Sequence, residues 1–177
     1  MKKILLALIV LTVVLAGVGA DTLKIGVSPY SFQSIHSISA VETVLIDKYG
    51  AATQCSYVHD YNGVKRLGGK ICGQWYLFDE EMNEVIVDLD FIMGRQKTLG
   101  SCSLYFDLGI GVSMCMIEEL FQAHMNLCAD FGLCFNLGNV LSFADVEFKL
   151  TPQFGNKVYK FTASLFIRPT VGVCVPL

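Results

Sequence analysis

The sequence predicts an all-β protein: an antiparallel, up-and-down, eight-stranded β-barrel that spans a membrane. Three observations carry this prediction. Apolar residues alternate with polar ones over runs that a helix, with its 3.6-residue period, would not sustain. Glycine- and asparagine-containing turn signals separate several of the runs. Only 16% of the 177 residues are charged, and those few gather on the face opposite the apolar one and in acidic loops.

The chain opens with a segment of a different kind. Lys2 and Lys3 precede an apolar run from Ile4 to Val14, broken only by Thr12, and small residues at Val18 and Ala20 lead to Asp21. A basic start, a short apolar stretch and small residues before a cut are the marks of an export signal. Residues 1–20 are therefore expected to be a cleaved signal peptide and 21–177 a single β-barrel domain. Losing Lys2 and Lys3 moves the net charge from −3 to −5. With 53% apolar residues overall, the composition excludes a disordered chain. The lack of a basic excess argues against nucleic-acid binding.

The first strand is expected at about 22–31, with Leu23, Ile25 and Val27 on one face. Residues 32–47 fit either a helical turn or an early strand. The second strand, about 48–58, carries Tyr49, Ala51, Cys55 and Tyr57 on one face and leads into Asp60-Tyr61-Asn62-Gly63, a strong turn signal. The third, about 64–78, places Leu67, Ile71, Trp75 and Leu77 opposite Arg66, Lys70, Cys72 and Gln74. An acidic loop, Asp79 to Glu84, follows. The fourth, about 85–93, sets Val85, Val87, Leu89, Phe91 and Met93 against Asp88 and Asp90, and Gly94-Arg95-Gln96-Lys97 is expected to turn the chain.

The next two strands are the clearest. From Cys102 to Met116 every even position is apolar, with Ser103, Tyr105, Asp107, Gly109, Gly111, Ser113 and Cys115 between. From Phe121 to Leu137 every odd position is apolar, facing Gln122, His124, Asn126, Cys128, Asp130, Gly132, Cys134 and Asn136. Gly138-Asn139 turns the chain into a seventh strand, about 140–150, with Val146, Phe148 and Leu150 opposite Asp145, Glu147 and Lys149. After a turn at 152–156, the eighth strand, about 157–168 or longer, sets Tyr159, Phe161, Ala163, Leu165 and Ile167 against Lys160, Thr162, Ser164 and Arg168. Pro29 and Pro169 would both lie on the seam between first and last strands. Each removes a ladder donor, so a bulge or short seam is expected there.

Alternation alone does not say which face is the core. The polar faces of the fifth and sixth strands hold Ser, Gly, Asn, Gln, His, Cys and Asp but no Lys, Arg or Glu. Such compact groups suit a narrow lumen. The expected lumen charges are six acids, Asp88, Asp90, Asp107, Asp130, Asp145 and Glu147, and six bases, Lys24, Arg66, Lys70, Lys149, Lys160 and Arg168. Enclosed charges need partners because desolvation is costly, so this balance points to a mutually neutralised interior with the apolar face against lipid. Strands of this length exceed the ~9–11 residues that cross a bilayer at a tilt. Phe121, Phe135, Tyr159 and Trp75 near strand ends are compatible with interfacial girdles.

With an export signal, an even strand number and runs such as Leu104-Tyr105-Phe106-Asp107-Leu108-Gly109-Ile110-Gly111-Val112, the chain resembles the small eight-stranded bacterial outer-membrane β-barrel proteins. The resemblance covers the mature chain and rests on architecture, not on a short motif. It implies an outer-membrane location in a diderm bacterium, with the lipid bilayer and the outer-membrane assembly machinery as partners. It departs from such barrels in holding seven cysteines.

Those cysteines, at 55, 72, 102, 115, 128, 134 and 174, form no C-x-x-C motif. By parity 72, 115, 128, 134 and 174 face the lumen and 55 and 102 face outward. They are expected to act mainly as small apolar fillers, with one lumenal cross-strand disulfide as the sharper alternative. His124 shares a face with Asn126 and Asp107, and Ser103 and Ser113 lie on the neighbouring strand. A Ser–His nucleophile would need that pair to be partnered, and a hydrogen-bonded wall histidine is the expectation. His36 and His59 are expected in loop or turn regions without ligand spacing. No cofactor, metal or catalytic residue is assigned. The acidic loops at Glu42, Asp79–Glu84 and Glu118–Glu119 would lie outside if the N-terminus is periplasmic. The expected role is structural or surface interaction, with a side-chain-filled lumen. Two alternatives stay open: a soluble secreted or periplasmic lipocalin-like barrel binding an apolar ligand, and a lipid-modifying barrel enzyme.

Overall fold

A computed structural model describes residues 22–39, 43–61, 63–76, 84–117, 120–154 and 159–177. The expected signal peptide, Glu42, the acidic stretch 79–83 and Glu118–Glu119 lie outside these described residues. Eight strands follow one another: β1 (Thr22–Ser39), β2 (Thr43–Tyr61), β3 (Lys65–Tyr76), β4 (Glu84–Leu99), β5 (Cys102–Ile117), β6 (Leu120–Leu137), β7 (Val140–Phe154) and β8 (Tyr159–Pro176). Each pairs antiparallel with the next, and β8 pairs with β1 to close the barrel. Closure leaves no edge strand.

The two ends of the barrel differ. At the turn end Thr22 stands opposite Pro176, and three tight connections reverse the chain. Gly100 and Gly138 each open a two-residue turn with positive φ, 62° in both, the left-handed geometry that suits hairpin twist and that glycine adopts without steric cost. At the loop end the connections are 40–42, 77–83, 118–119 and 155–158.

Residues 32–47, apart from the undescribed connection at 40–42, take the strand alternative: β1 runs to Ser39 and β2 begins at Thr43. Three expectations need correction. His36 and His59 lie on strands β1 and β2, not in loop or turn regions. The Gly94–Lys97 segment is not a turn. It continues β4 in register with β5, with Gly94 opposite Asp107, and the chain reverses at Gly100-Ser101. Gly94 is small because a Cβ there would collide with the Phe106 carbonyl and Asp107, so the glycine marks a close backbone approach. Likewise β7 runs through Phe154 and β8 reaches Pro176. On the seam, the register shifts between Ser28 and Ser31 and again between Val27 and Phe32, so the ladder bulges around Pro29.

The faces are inverted relative to a water-soluble domain. Ile110, Leu127 and Met125 are 48%, 53% and 64% exposed, whereas Glu147, Lys149 and Asp88 are 0% exposed. Large apolar side chains cover the outside of every strand, and the fully buried set is mostly polar or charged.

This assignment predicts an order of thiol reactivity. In the folded, detergent-held protein a membrane-permeant maleimide should label Cys55 and Cys102 well before Cys72 and Cys128, and all seven should react after denaturation. Mass mapping of the adducts checks it; early labelling of Cys128 with Cys102 spared would invert the faces.

Candidate functional site

The charged lumen is built by strand alternation. On each strand every second side chain points inward, so a parity shared by neighbouring strands brings Lys70, Asp88, Asp90, Asp130, Glu147, Lys149 and Arg168 to one level of the barrel. Glu147 is the hub. Its Oε1 lies 2.8 Å from Lys70 Nζ and 3.5 Å from Lys149 Nζ, and its Oε2 lies 3.0 Å from Arg168 Nη1. Lys70 also reaches Asp130 Oδ2 at 2.7 Å. Lys149 reaches Asp88 and Asp90 at 2.9 and 2.8 Å, and Arg168 reaches Asp88 at 2.6 Å. Those of Lys70 with Asp130 and Glu147, of Lys149 with Asp90, and of Arg168 with Asp88 and Glu147 are charge-assisted hydrogen bonds, the strong class.

Neutral groups extend the network. Arg168 Nε donates to Gln74 Oε1 at 2.7 Å, and Ser31 Oγ donates to the same oxygen at 2.9 Å. Ser113 Oγ donates to Asp88 Oδ1 at 2.5 Å and accepts from Asn126 Nδ2 at 2.9 Å.

A second level sits nearer the turn end. Arg66 Nη2 lies 3.0 Å from Asp107 Oδ2. The Arg66 guanidinium and the Lys24 ammonium stand 4.1 and 3.3 Å from the centroid of the Tyr105 ring, a cation–π geometry. The Tyr105 hydroxyl donates to Asp145 Oδ2 at 2.7 Å, and Gln54 Nε2 donates to it at 3.2 Å. Beyond this level a cavity of about 260 Å³ opens at the turn end, with Lys24 and Arg66 among its lining residues.

Eleven of the twelve lumen charges read from the sequence are thus buried on the inner face, and ten of them join these ion-paired or hydrogen-bonded levels. Lys24 is held by aromatic faces. Lys160 lies on β8, but its side chain lies outside those described. Sequence reading set Gln74 on the inner face but did not single out Gln54, Ser31 or Thr151, whose hydroxyl lies 3.4 Å from Ser113 Oγ, or Phe143 and Phe166, over whose rings Lys24 and Arg168 stand. Their inward parity was the available signal.

Asp90, Cys128 and Glu147 place ligand atoms within 4.8 Å of one another, a spacing that could hold a metal ion. Lys149 and Lys70 already place ammonium groups 2.8 Å from the two carboxylates, which sets the local charge against a further cation. The suggested Ser–His pair does not assemble. Ser113 and His124 are register partners, yet Ser113 turns to Asp88 while His124 Nε2 lies 3.3 Å from Gln122 Oε1. Near the loop end Ser34 Oγ lies between His36 Nε2 (3.3 Å) and Asp47 Oδ1 (2.7 Å). There the carboxylate holds the hydroxyl, not the imidazole, which is not the order of a nucleophilic triad. None of the seven cysteines is joined in a disulfide. Cys134 and Cys174 come within 3.9 Å, but β7 separates their strands, so their backbones stand about two strand spacings, ~9–10 Å, apart along the sheet. That exceeds the ~7 Å limit for a bridge without backbone movement.

No protein-family model and no curated protein sequence matches the chain. Among solved structures the barrel is similar to Neisserial surface protein A, with a TM-score of 0.60 at 10% identity over 88% of this chain and 97% of that one. Also similar are the outer membrane protein OprG of Pseudomonas aeruginosa (TM-score 0.49, 10% identity, 89% and 97% covered) and Ail, the attachment invasion locus protein of Yersinia pestis (0.49, 13%, 88% and 99%). The closed eight-stranded barrel and its likeness to the first of these give the chain the fold of small outer-membrane barrels, with no subfamily indicated.

Removing the hub should be costly. Glu147→Gln leaves three buried cations short of a negative charge, and breaking a buried pair in this way costs about 3–5 kcal/mol. Lys24→Gln removes contacts to ring faces, about 0.5–2 kcal/mol, and a longer-range attraction to Asp145 and Asp107, but none of the close ion pairs above. Urea unfolding of the refolded variants should rank them in that order.

Proposed function

We propose that the chain is an integral outer-membrane β-barrel, exported on cleavage of residues 1–20 and folded by the outer-membrane assembly machinery, with a structural or surface-interaction role carried by its loop end. One observation carries this reading: the outside of every strand is apolar and exposed while the charges are buried within. In water that arrangement would expose a continuous apolar surface far larger than monomeric soluble proteins present. In a bilayer the same surface meets lipid, and a closed barrel leaves no unpaired backbone group in the hydrocarbon.

The lumen supports a plugged barrel over a diffusion channel. Two successive levels of paired charge cross it, and eight strands enclose room for little beyond side chains. A soluble carrier of apolar ligands would need an apolar interior, and here that space is occupied by Lys70, Glu147 and Arg168 with their partners. The lipid-modifying alternative would need a partnered nucleophile, and Ser113 is engaged by Asp88.

The expected measurement is fractionation. The full chain, expressed with its own N-terminus in a diderm host, should stay in the membrane pellet through carbonate washing and leave it only with detergent. Ile110→Arg, in the middle of the outward face, should lower folding stability in vesicles by about 2–4 kcal/mol. Release by carbonate alone would overturn the membrane reading.

A further inference from the structure

The outward surface carries one feature that a uniform lipid-facing belt does not need. Three described basic side chains stand on it: Lys65 at the start of β3, and Arg95 and Lys97 near the end of β4, all exposed. The other described strand cations, Lys24, Lys48, Arg66, Lys70, Lys149 and Arg168, lie at positions of inward parity. The outward three therefore gather on two neighbouring strands at the turn end.

Lys65 and Arg95 are direct register partners. Like charges opposite each other on one sheet face repel. No carboxylate among the described residues shares that face at this end. Asp107 is on the lumen side against Arg66, and Asp60, also of inward parity, accepts from Gln96 Nε2 at 3.0 Å. The juxtaposition is thus left for an anion from outside the chain.

What lies beside it is apolar. A groove of about 490 Å³ is lined by Lys65 and Arg95 together with Leu67, Met93, Phe106 and Leu108. It begins at the basic pair and continues onto the lipid-facing surface. The outward run on β3 from Leu67 to Trp75 covers about 26 Å along the strand at ~3.3 Å per residue, which at a tilt of about 40° rises about 20 Å and spans most of the ~25 Å apolar band of such barrels. Lys65 lies one outward position beyond that run, at the level of lipid headgroups.

We propose that this groove is a binding site for one anionic glycerophospholipid of the turn-side leaflet. Its phosphodiester lies between Lys65 and Arg95, Lys97 adds a third positive charge toward the headgroup, and an acyl chain follows Leu67, Met93, Phe106 and Leu108. Guanidinium suits phosphate because its planar fork donates two bonds at once, and basic clusters beside a bilayer favour anionic over zwitterionic lipid. This inference rests on the membrane reading above.

The test uses the full chain purified in detergent and titrated with phosphatidylglycerol or phosphatidylcholine of identical acyl chains, with bound lipid read by native mass spectrometry. One phosphatidylglycerol should bind saturably, at least about tenfold more tightly than phosphatidylcholine, and K65Q/R95Q should lose that preference. K48Q, an inward-parity position near the loop end, should keep it. A second measurement needs no variant: a photoactivatable acyl-chain phosphatidylglycerol in vesicles should crosslink to peptides holding Leu67, Met93 or Phe106. Equal binding of the two lipids, unchanged preference in K65Q/R95Q, or crosslinks spread evenly round the barrel would overturn the proposal. Failure of the unaltered chain to insert into vesicles sinks the membrane reading itself, whereas insertion with even crosslinking sinks only this site.

Discussion

Burial of charge is the constraint on which the rest of the barrel depends. A closed eight-stranded sheet has one narrow interior, and half of every strand must point into it. Once those positions hold Asp, Glu, Lys and Arg, each must find a partner, because an unpaired buried ion costs several kcal/mol. Glu147 meets this demand by serving Lys70, Lys149 and Arg168 together. Some of the bonds cross the lumen, as from Lys70 to Asp130 and from Arg168 to Asp88, and others join register partners on neighbouring strands, as Ser113 with Asp88 and Arg168 with Glu147. Ser31 on β1, Gln54 on β2, Lys70 on β3, Asp88 on β4, Ser113 on β5, Asp130 on β6, Glu147 on β7 and Arg168 on β8 each contribute, so every strand is tied to another by side chains as well as by backbone.

That arrangement sets the character of the surface. With polar groups committed inside, the outward parity is left to apolar residues, and the barrel is most stable where its exterior meets hydrocarbon. A buried ion network does not by itself make a fold more stable than a packed apolar core. What it supplies here is discrimination. An interior of leucines would tolerate many rotations of side chains, whereas Arg168 fits only where Asp88, Glu147 and Gln74 converge. The same network fills the lumen at two levels with paired charge.

Much of this was legible in the sequence because period two is an unambiguous signal when it runs long. β5 and β6 could be read residue by residue, and the lumen charges followed from parity alone. The misreadings share a cause. Glycine and proline read as punctuation, but Gly94 is small to admit Asp107 and Phe106, and Pro152 stands within β7 opposite Ala163; Pro29, by contrast, sits at the bulge expected of it. Residues 32–47 were ambiguous because Ser and His dilute the alternation where β1 and β2 approach the loop end. Placing Arg95 and Lys97 in a turn also removed them from the outward face, so their meeting with Lys65 was hidden. Pairing, which sequence periodicity does not encode, brings them together.

Register is what separates the two charge systems. Lys65 and Arg66 are consecutive, yet one stands outside opposite Arg95 and the other inside against Asp107. In a strand, a slip of one residue exchanges the faces of every side chain. Such a slip in β3 would bring Lys65 into the lumen and expel Arg66, Lys70 and Gln74 from it, leaving Asp107, Asp130 and Glu147 short of cations. The alternative register is therefore penalised at several buried sites at once. The turn at Gly63, with φ of 65°, sets where β3 begins, and the lumen network enforces that choice along its length. The outward basic pair thus owes its position to the paired charges on the other side of the same strands.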